Sequence, residues 1–572
     1  MTSRHYMWRL AILALGFCSI AAGVYLFRNW IDIFTRMRGK EMALSPTSRA
    51  YDGWKISPLP LDFDVYLFNW TNPEDFYVGS GKKPRFEQLG PYRFREKPDK
   101  VDIAWHNQNS SISFRKKAFF FFDAEGSNGT LEDNITTVNT VAHAAALRTR
   151  VANFFETFAI KSALAVSEQR LTETKTAREW MFDGYDHPLV STMVTVGKMF
   201  QVSLVPYDRV GFLYPRNGSA DFEGYLNMYT GADDIRKMGQ LYAWNNKTHT
   251  GAFDGECGNV YGSMGEFFPP NLTPKDHVSM FLPNLCRAVP LDYTETVSVH
   301  GVTAFKFSGT ERAVDNGTLY PEETSCLCDN DTCGPVGVIY VGRCHHNTSL
   351  YMSYPHFYKA DPSLLDAVEG LQPEKEKHEF FMTLEPNAGV PMDVGGGFQA
   401  NYLLEPVQQV KIYQNIPRTF IPMMWAEERV RVTEEIAADI KLVPLIVLLG
   451  QIFTGVLLAV GLICVCWYPT RLFARFCHSD DPKDKMIALK PLAFGTNGPS
   501  ASAPTCCQST LNPNVGVRLL DYRRSSGVAN TAVAKYDDDD VESNSSECSN
   551  SCGTERLIND SAQCPSTNVI IR

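Results

Sequence analysis

Two long apolar runs bracket a block in which short hydrophobic stretches alternate with Gly, Pro and Asn. Leu10–Phe27 (LAILALGFCSIAAGVYLF) and Leu442–Tyr468 contain no Asp, Glu, Lys or Arg, and each is close to the roughly 20 residues that a bilayer-spanning helix needs. The pattern therefore predicts a short cytoplasmic N-terminus (1–9), a transmembrane helix (10–27), a large extracellular or lumenal block (28–441), a second transmembrane helix (442–468) and a cytoplasmic tail (469–572). Pro444 lies near the start of the second run and Trp467 and Tyr468 close it, aromatic residues being enriched where a span meets the interface. Arg4 and Arg9 before the first run, with Ser19-Ile20-Ala21-Ala22 inside it, would also suit a signal peptide, but length favours an uncleaved anchor. Arg28, Arg36, Arg38 and Lys40 follow that run, so local positive charge does not orient it.

Inside the block, Ile56–Trp70 alternates hydrophobic and polar positions before the turn residues Thr71-Asn72-Pro73, and reads as a strand. Phe86–Lys97 and Ser111–Phe122 continue that grammar, and Gly184–Lys306 and Leu384–Glu428 return to it. Gly395, Gly396 and Gly397 read as a turn or bulge. Asp361–Leu371 reads as a short helix. Val138–Trp180 differs: it has no Gly or Pro, and Val141, Ala145, Val151, Phe154, Phe155, Phe158 and Leu164 recur at helical spacing. It predicts a helical cluster with an apolar inner face. Its polar face carries Arg148, Arg150, Lys161, Arg170, Lys175 and Arg178, either an ordinary solvated surface or a cationic contact surface. The tail is rich in Ser, Asn and Asp without apolar periodicity, as in disordered chains.

Composition narrows the function. Net charge is −10 over 572 residues, with no Lys/Arg stripe interleaved with aromatics, which disfavours a nucleic-acid partner. Six of the fifteen cysteines (Cys257, Cys286, Cys326, Cys328, Cys333 and Cys344) fall in one loop-rich stretch and read as a disulfide framework from an oxidising compartment. Zinc is the alternative for Cys326, Cys328, Cys333, Cys344, His345 and His346, but the paired C-x-x-C spacing is missing. Glycosylation sequons stand at Asn69, Asn109, Asn128, Asn134, Asn217, Asn246, Asn271, Asn316, Asn330 and Asn347, and also in the tail at Asn544 and Asn559. Foldability, rather than sequon density, assigns the glycosylated domain to the block. No G-x-S-x-G, GxxxxGK[ST] or GxGxxG occurs, and Met382 stands where His378-Glu379 would need a second His. These absences predict neither an enzyme nor a cofactor. His143 could titrate near lysosomal pH, although a structural helix residue is the plainer reading. Cys464, Cys466 and Cys477 flank the end of the second span, beside Arg471, Arg475, Lys483 and Lys485, where palmitoylation and contact with anionic lipid are plausible.

Several motifs in fixed order carry a resemblance. They are Tyr66-Leu-Phe-Asn-Trp-Thr-Asn-Pro73, Leu89-Gly-Pro-Tyr-Arg-Phe-Arg-Glu96, Arg178-Glu-Trp-Met-Phe-Asp-Gly-Tyr-Asp-His-Pro188, the six cysteines, and Glu385-Pro-Asn-Ala-Gly-Val-Pro391. Between two terminal spans, they resemble the class B scavenger receptors, the family of fatty acid translocase and the lysosomal integral membrane proteins. The resemblance covers about residues 10 to 470. It implies a membrane-anchored α+β protein: a large antiparallel β-barrel-like ectodomain crowned by an apical helical bundle (about 138–180), with an internal hydrophobic tunnel. It also implies the pairs Cys257–Cys326, Cys286–Cys344 and Cys328–Cys333, the last enclosing an unusually short loop. The family's basic ligand site is similar to the region of Lys161, Arg170 and Lys175. The implied partners are lipids, fatty acids, sterols or lipoproteins, with protein ligands at the crown as an alternative. The implied residence is the plasma membrane, with both termini cytoplasmic, or an endosomal or lysosomal membrane.

Overall fold

Period-two alternation along Ser111–Phe122 sets one wall of a barrel: Ile112, Phe114, Ala118 and Phe120 are buried, whereas Phe119 and Phe121 face out. The structure, a computed structural model, describes residues 2–56, 61–167, 169–201, 205–328 and 333–478. Side chains are described from Met7 to Trp467 and at Thr470. The strands are β1 (Leu61–Trp70), β2 (Phe86–His106), β3 (Ser111–Phe122), β4 (Asn134–Val138), β5 (Thr172–Thr176), β6 (Tyr225–Tyr229), β7 (Leu241–Trp244) and β8 (His277–Leu282). They continue with β9 (Arg287–Val299), β10 (Val302–Ser308), β11 (Ile339–Tyr340), β12 (Leu350–Ser353), β13 (Phe381–Glu385), β14 (Val390–Gly395), β15 (Gly397–Leu404) and β16 (Thr419–Arg431). The main sheet is a nearly closed antiparallel path, β7-β6-β3-β2-β1-β16-β14-β13-β10-β9-β8, with β15, β12 and β11 branching from β16. β4 and β5 form a separate two-stranded ribbon.

The two path ends, β7 and β8, meet through an irregular stretch. Leu241 N donates to Gly262 O (2.8 Å), Ser263 N donates to Ser279 O (2.9 Å), and Phe281 N donates to Ser263 O (2.8 Å). Gly262 is required here: its φ is +88°, and a Cβ would lie 2.8 Å from the Ser279 carbonyl oxygen. Just beyond, the Glu266 carboxylate accepts from Lys100 Nζ of β2 (2.7 Å) and Trp54 Nε1 (3.0 Å), and lies 3.5 Å from Lys116 Nζ of β3. Burial alone would raise this carboxyl, but Lys100 and Lys116 outweigh it and hold the group down at about 2. Nearby, burial and then the charge of Glu428 outweigh the opposing pull of Arg216 and Lys116 and push Glu96 up to about 7. Arg216 sits between the Phe63 and Phe120 rings, 4.9 Å from each, and donates to Glu223 (3.2 Å).

Three disulfides staple this side. Cys257, just ahead of the closing stretch, is bonded to Cys326; Cys286, between β8 and β9, to Cys344; and Cys328 to Cys333, with Cα–Cα distances of 5.9, 6.2 and 4.9 Å.

The helices are α1 (Thr2–Met42), α2 (Arg49–Lys55), α3 (Thr140–Arg148), α4 (Phe154–Val166), α5 (Pro188–Phe200) and α6 (Glu434–His478), besides shorter turns. Within α1 and α6, Met7–Met42 and Glu434–Trp467 are long and apolar enough to cross a membrane. Both helices outrun the apolar runs of the sequence. α1 continues through Arg28–Lys40, and α6 starts before Leu442 and passes Pro444 unbroken. The two pack on each other through glycine: a Cβ at Gly23 would lie 2.8 Å from Leu458 Cγ, and one at Gly461 would lie 2.6 Å from Ile20 Cγ1. Close backbone approach of this kind is how spans associate where lipid removes the hydrophobic drive. Trp30 Nε1 also donates to Val447 O (3.0 Å).

The helical region departs from the sequence expectation twice. Thr172–Thr176 is strand β5, paired with β4 from Asn134↔Thr176 to Val138↔Thr172, its alternating Thr suiting a half-buried ribbon. Conversely, α5 lies in a segment read as strands and loops; its β-branched Val and Thr obscure a helix that Pro188 starts at the first helical position. The spans yield one expected outcome. A Cβ at Gly16 would lie 3.0 Å from Cys464 Cβ. Gly16→Cys should therefore cross-link to Cys464 on mild oxidation, joining the two membrane fragments after proteolysis of the intervening domain; separate fragments would refute the pairing.

Candidate functional site

The crown is built from capped, short helices. Asn139 caps α3, its Oδ1 accepting from Ala142 N (2.9 Å); Asn153 and Glu156 form a capping box on α4; and His187 Nδ1 accepts from Leu189 N (3.3 Å) at the start of α5. α3 turns its small residues Ala142 and Ala146, with His143, toward the barrel, so its backbone approaches closely. His143 lies edge-on to Tyr402 and Tyr413, its Nδ1 3.0 Å from the Tyr402 hydroxyl and its Nε2 2.9 Å from the Glu405 carbonyl oxygen. The Glu405 carboxylate in turn accepts from Arg150 (3.1 Å) of the crown and Arg418 (3.0 Å) of the barrel. Packing below and an ion-paired clamp at the rim thus fix α3.

α4 presents the opposite character. Phe154, Phe155 and Phe158 are 78, 81 and 66 % exposed, joined by Val151 and Val166; Leu164 is its buried residue. The sequence expectation of an inward apolar face fails here. The chain breaks between α3 and α4 at Thr149–Asn153, which resets the helical phase, so that the phenylalanines point to solvent. α5 adds the exposed Met199 and Phe200. Between α5 and residues 205–215 lies a cavity of about 530 Å³, lined by Val194, Gly197, Lys198, Tyr207, Asp208 and Tyr214 among others.

The three basic candidates do not share one helix face. Lys161 is exposed on α4 and Arg170 is exposed in the loop after it, while Lys175 is half-buried on β5, its ammonium 4.8 Å from the Tyr185 ring centroid. Among the sequons, Asn109, Asn128, Asn134, Asn217, Asn246, Asn271 and Asn347 are exposed, Asn69 is half-buried and Asn316 is buried. Asn330 lies outside the described residues. Cys464 is half-buried beside α1 and Cys466 is exposed, while the Cys477 side chain lies outside those described. Among the described residues no group of three or more His, Cys, Asp or Glu is placed to hold a metal. The exposed feature that periodicity missed is the phenylalanine apex. Its signal was present: α4 is apolar around most of its circumference, which a helix lying on a barrel does not need.

Two membrane-length helices bracket one large β-domain with an exposed apolar crown, and comparison with known proteins places this architecture in a family. The chain belongs to the CD36 family, whose profile matches residues 14–472. Protein peste of Drosophila melanogaster is 65 % identical over 536 residues, covering 92 % of this chain and 95 % of that protein. Scavenger receptor class B member 1 of Bos taurus is 28 % identical over 425 residues, covering 73 % and 81 % respectively. Lysosome membrane protein 2 of Homo sapiens is also 28 % identical, over 404 residues covering 70 % and 81 %. Members of this family are receptors rather than enzymes.

Four buried histidines tie the crown and core to pH. Burial lowers His143, His187 and His378 to about 4, and His356 to about 3, with the neighbouring charges of His378 and Lys377 adding to the last. His356 and His378 stack with centroids 4.4 Å apart, and each uses Nδ1 to accept a backbone N–H, from Gln372 and Glu374, both at 2.9 Å. Protonating either nitrogen would break that bond. In the unfolded chain histidine takes its proton near 6.5, so the unfolded state binds more protons below that pH. The stability is fully present above about 6.5 and is lost as pH falls toward 4, by about 2 kcal/mol per histidine at pH ~5. Thermal melts of the full chain should fall steadily between about pH 7 and pH 5, and His378→Gln should flatten the slope by about one histidine's share. A pH-independent melting temperature would contradict the burial of these rings.

Proposed function

We propose that this protein captures lipid or lipoprotein on its crown and passes lipid through the interior of the barrel toward the bilayer, with the β-domain extracellular or lumenal and both termini cytoplasmic. The observation that carries this reading is the apex of Phe154, Phe155 and Phe158. Exposed aromatics of this number on one short helix gain little in water, but immersing them in an acyl layer recovers about 25 cal/mol per Å² of apolar surface. Lys161 and Arg170 beside them suit anionic headgroups or acidic surfaces. The cavity next to α5 provides a concave, tyrosine-lined recess for a detached lipid. An acyl chain leaving water for an apolar route gains about 0.8 kcal/mol per methylene, so a continuous path avoids returning that gain midway.

Capture and transfer separate experimentally. Phe154→Ser, Phe155→Ser and Phe158→Ser combined should weaken binding of phosphatidylcholine vesicles or lipoprotein roughly 100-fold, on the basis of about 3 kcal/mol for partial burial of three rings. Lys161→Glu with Arg170→Glu should weaken it less and in a salt-dependent manner. Unchanged vesicle binding by the serine variant would overturn the apex as the capture surface. Retained lipid capture with unaltered uptake of labelled fatty acid or sterol ester in cells would favour a recognition or sorting receptor without lipid transfer.

A further inference from the structure

The outer face of β3 carries a second exposed aromatic pair, far from α4 in the chain. Phe119 and Phe121 are 37 and 58 % exposed, and on the adjacent β2 their register partners are Lys97 and Arg95. On the other side β6 pairs only with Ser111–Arg115, so the second half of β3 would be an open edge. It is instead flanked by the sequon Asn217-Gly218-Ser219. Ala118 and Asn217 form an isolated bridge, Gly218 N donates to Ala118 O (2.7 Å), and Asn217 Oδ1 accepts from Phe120 N (3.1 Å). The ring of Phe119 lies against Gly218, its Cε1 3.4 Å from where a Cβ would stand.

The chemistry of the Asn217 amide matters here. N-glycosylation replaces one hydrogen on Nδ2 and leaves Oδ1 a free acceptor. Of the Asn217 side chain the fold hydrogen-bonds Oδ1, and the residue is exposed. Asn316 shows the reverse: it is buried, and its Nδ2 donates to Gly334 O (2.6 Å) and Pro335 O (3.0 Å), so both amide hydrogens are committed and no space remains for a sugar. The two sequons are thus sorted by which amide atom the fold consumes.

We propose that Asn217 carries an N-glycan whose first sugar seats on Phe119 and Phe121, so that a carbohydrate, and not a protein or lipid partner, covers this aromatic shelf. The apolar face of a pyranose ring against an aromatic face removes ring surface from water, while its hydroxyls stay solvated. Lys117 Nζ already lies 5.1 Å from the Phe119 ring centroid, leaving Phe121 the more exposed of the pair. Seated in this way, the sugar also shields the edge of β3 from pairing with another strand, a recurrent hazard of exposed edges. The inference rests on the proposed extracellular or lumenal placement of the β-domain.

The test uses the full chain from a eukaryotic secretory host, purified in detergent. Glycopeptide mass spectrometry should find Asn217 occupied and Asn316 unoccupied. Thermal melts should drop by about 1–2 °C in Ser219→Ala, which deletes the sequon but keeps the Asn217 Oδ1 bond to Phe120. Trimming glycans to a single sugar should leave the melting temperature unchanged, whereas complete removal should lower it. In a Phe119→Ser, Phe121→Ser background, Ser219→Ala should give a smaller drop, that of losing the bond from Asp221 N to the Ser219 Oγ (3.2 Å) alone. An unoccupied Asn217 with other sequons occupied, or an equal drop for Ser219→Ala in that background, would overturn the proposal. A chain with every sequon unoccupied would instead overturn the placement of the domain on which it rests.

Discussion

Closure of the β path through Val260–Met264 is the constraint on which the rest of the ectodomain depends. Edges of a long antiparallel sheet are unstable partners for water and for other chains, and here the two end strands are joined not by pairing but by three backbone hydrogen bonds to an irregular stretch. This seam is anchored by Val260 and Met264 in the cluster of Trp54, Phe114, Leu241 and Phe281. It is held from one side by the Cys257–Cys326 bridge, which limits how far the preceding segment can move in the unfolded chain. From inside it is held by Glu266, which reaches across to two cations on β2 and β3. Breaking one member of a buried ion set costs more than the set contributes, because a charge is left without a partner.

The crown depends on a different device. α3 is pressed on the barrel through alanines, which offer little area, so its position is specified by polar contacts: His143 to Tyr402 and Glu405, and Glu405 to Arg150 and Arg418. With those contacts carrying the attachment, α4 is released from covering the core. That release is what allows three phenylalanines to face water.

How much of this was legible in the sequence follows from how local each signal is. The spans were visible because a bilayer imposes a run length, but their limits were not, since charged residues such as Arg28–Lys40 continue a helix as readily as they leave it. Strands β1, β2 and β3 were visible from alternation. The membership of the crown was only partly visible: periodicity identified helix in Phe154–Val166 but could not say which side faced the barrel, because that depends on the break at Thr149–Asn153 and on where α3 docks. Strand β5 and helix α5 were inverted for a common reason, as Thr and Val serve either state and tertiary partners choose between them. The closing seam left no trace in periodicity at all. Lys100, Lys116 and Glu266 are three unremarkable charges until the barrel brings them within 3.5 Å.

The placement of those charges bears on any route through the barrel. β1 and β16 run antiparallel, with the Leu61 and Arg431 ends adjoining the membrane helices and the Trp70 and Thr419 ends adjoining the crown. At about 3.3 Å per residue, the thirteen residues of β16 make a strand roughly 40 Å long between those two ends. Toward the crown the inner face is apolar, with Leu67 and its register partner Met424 buried. Toward the membrane it turns ionic, through Glu96, Lys116, Arg216 and Glu266. A wholly apolar molecule moving down this face would lose favourable surface just where the barrel is most dependent on charge pairing. The ionic girdle is thus the feature that any account of passage from crown to bilayer has to cross, and its own pairing sets how far the wall there can open.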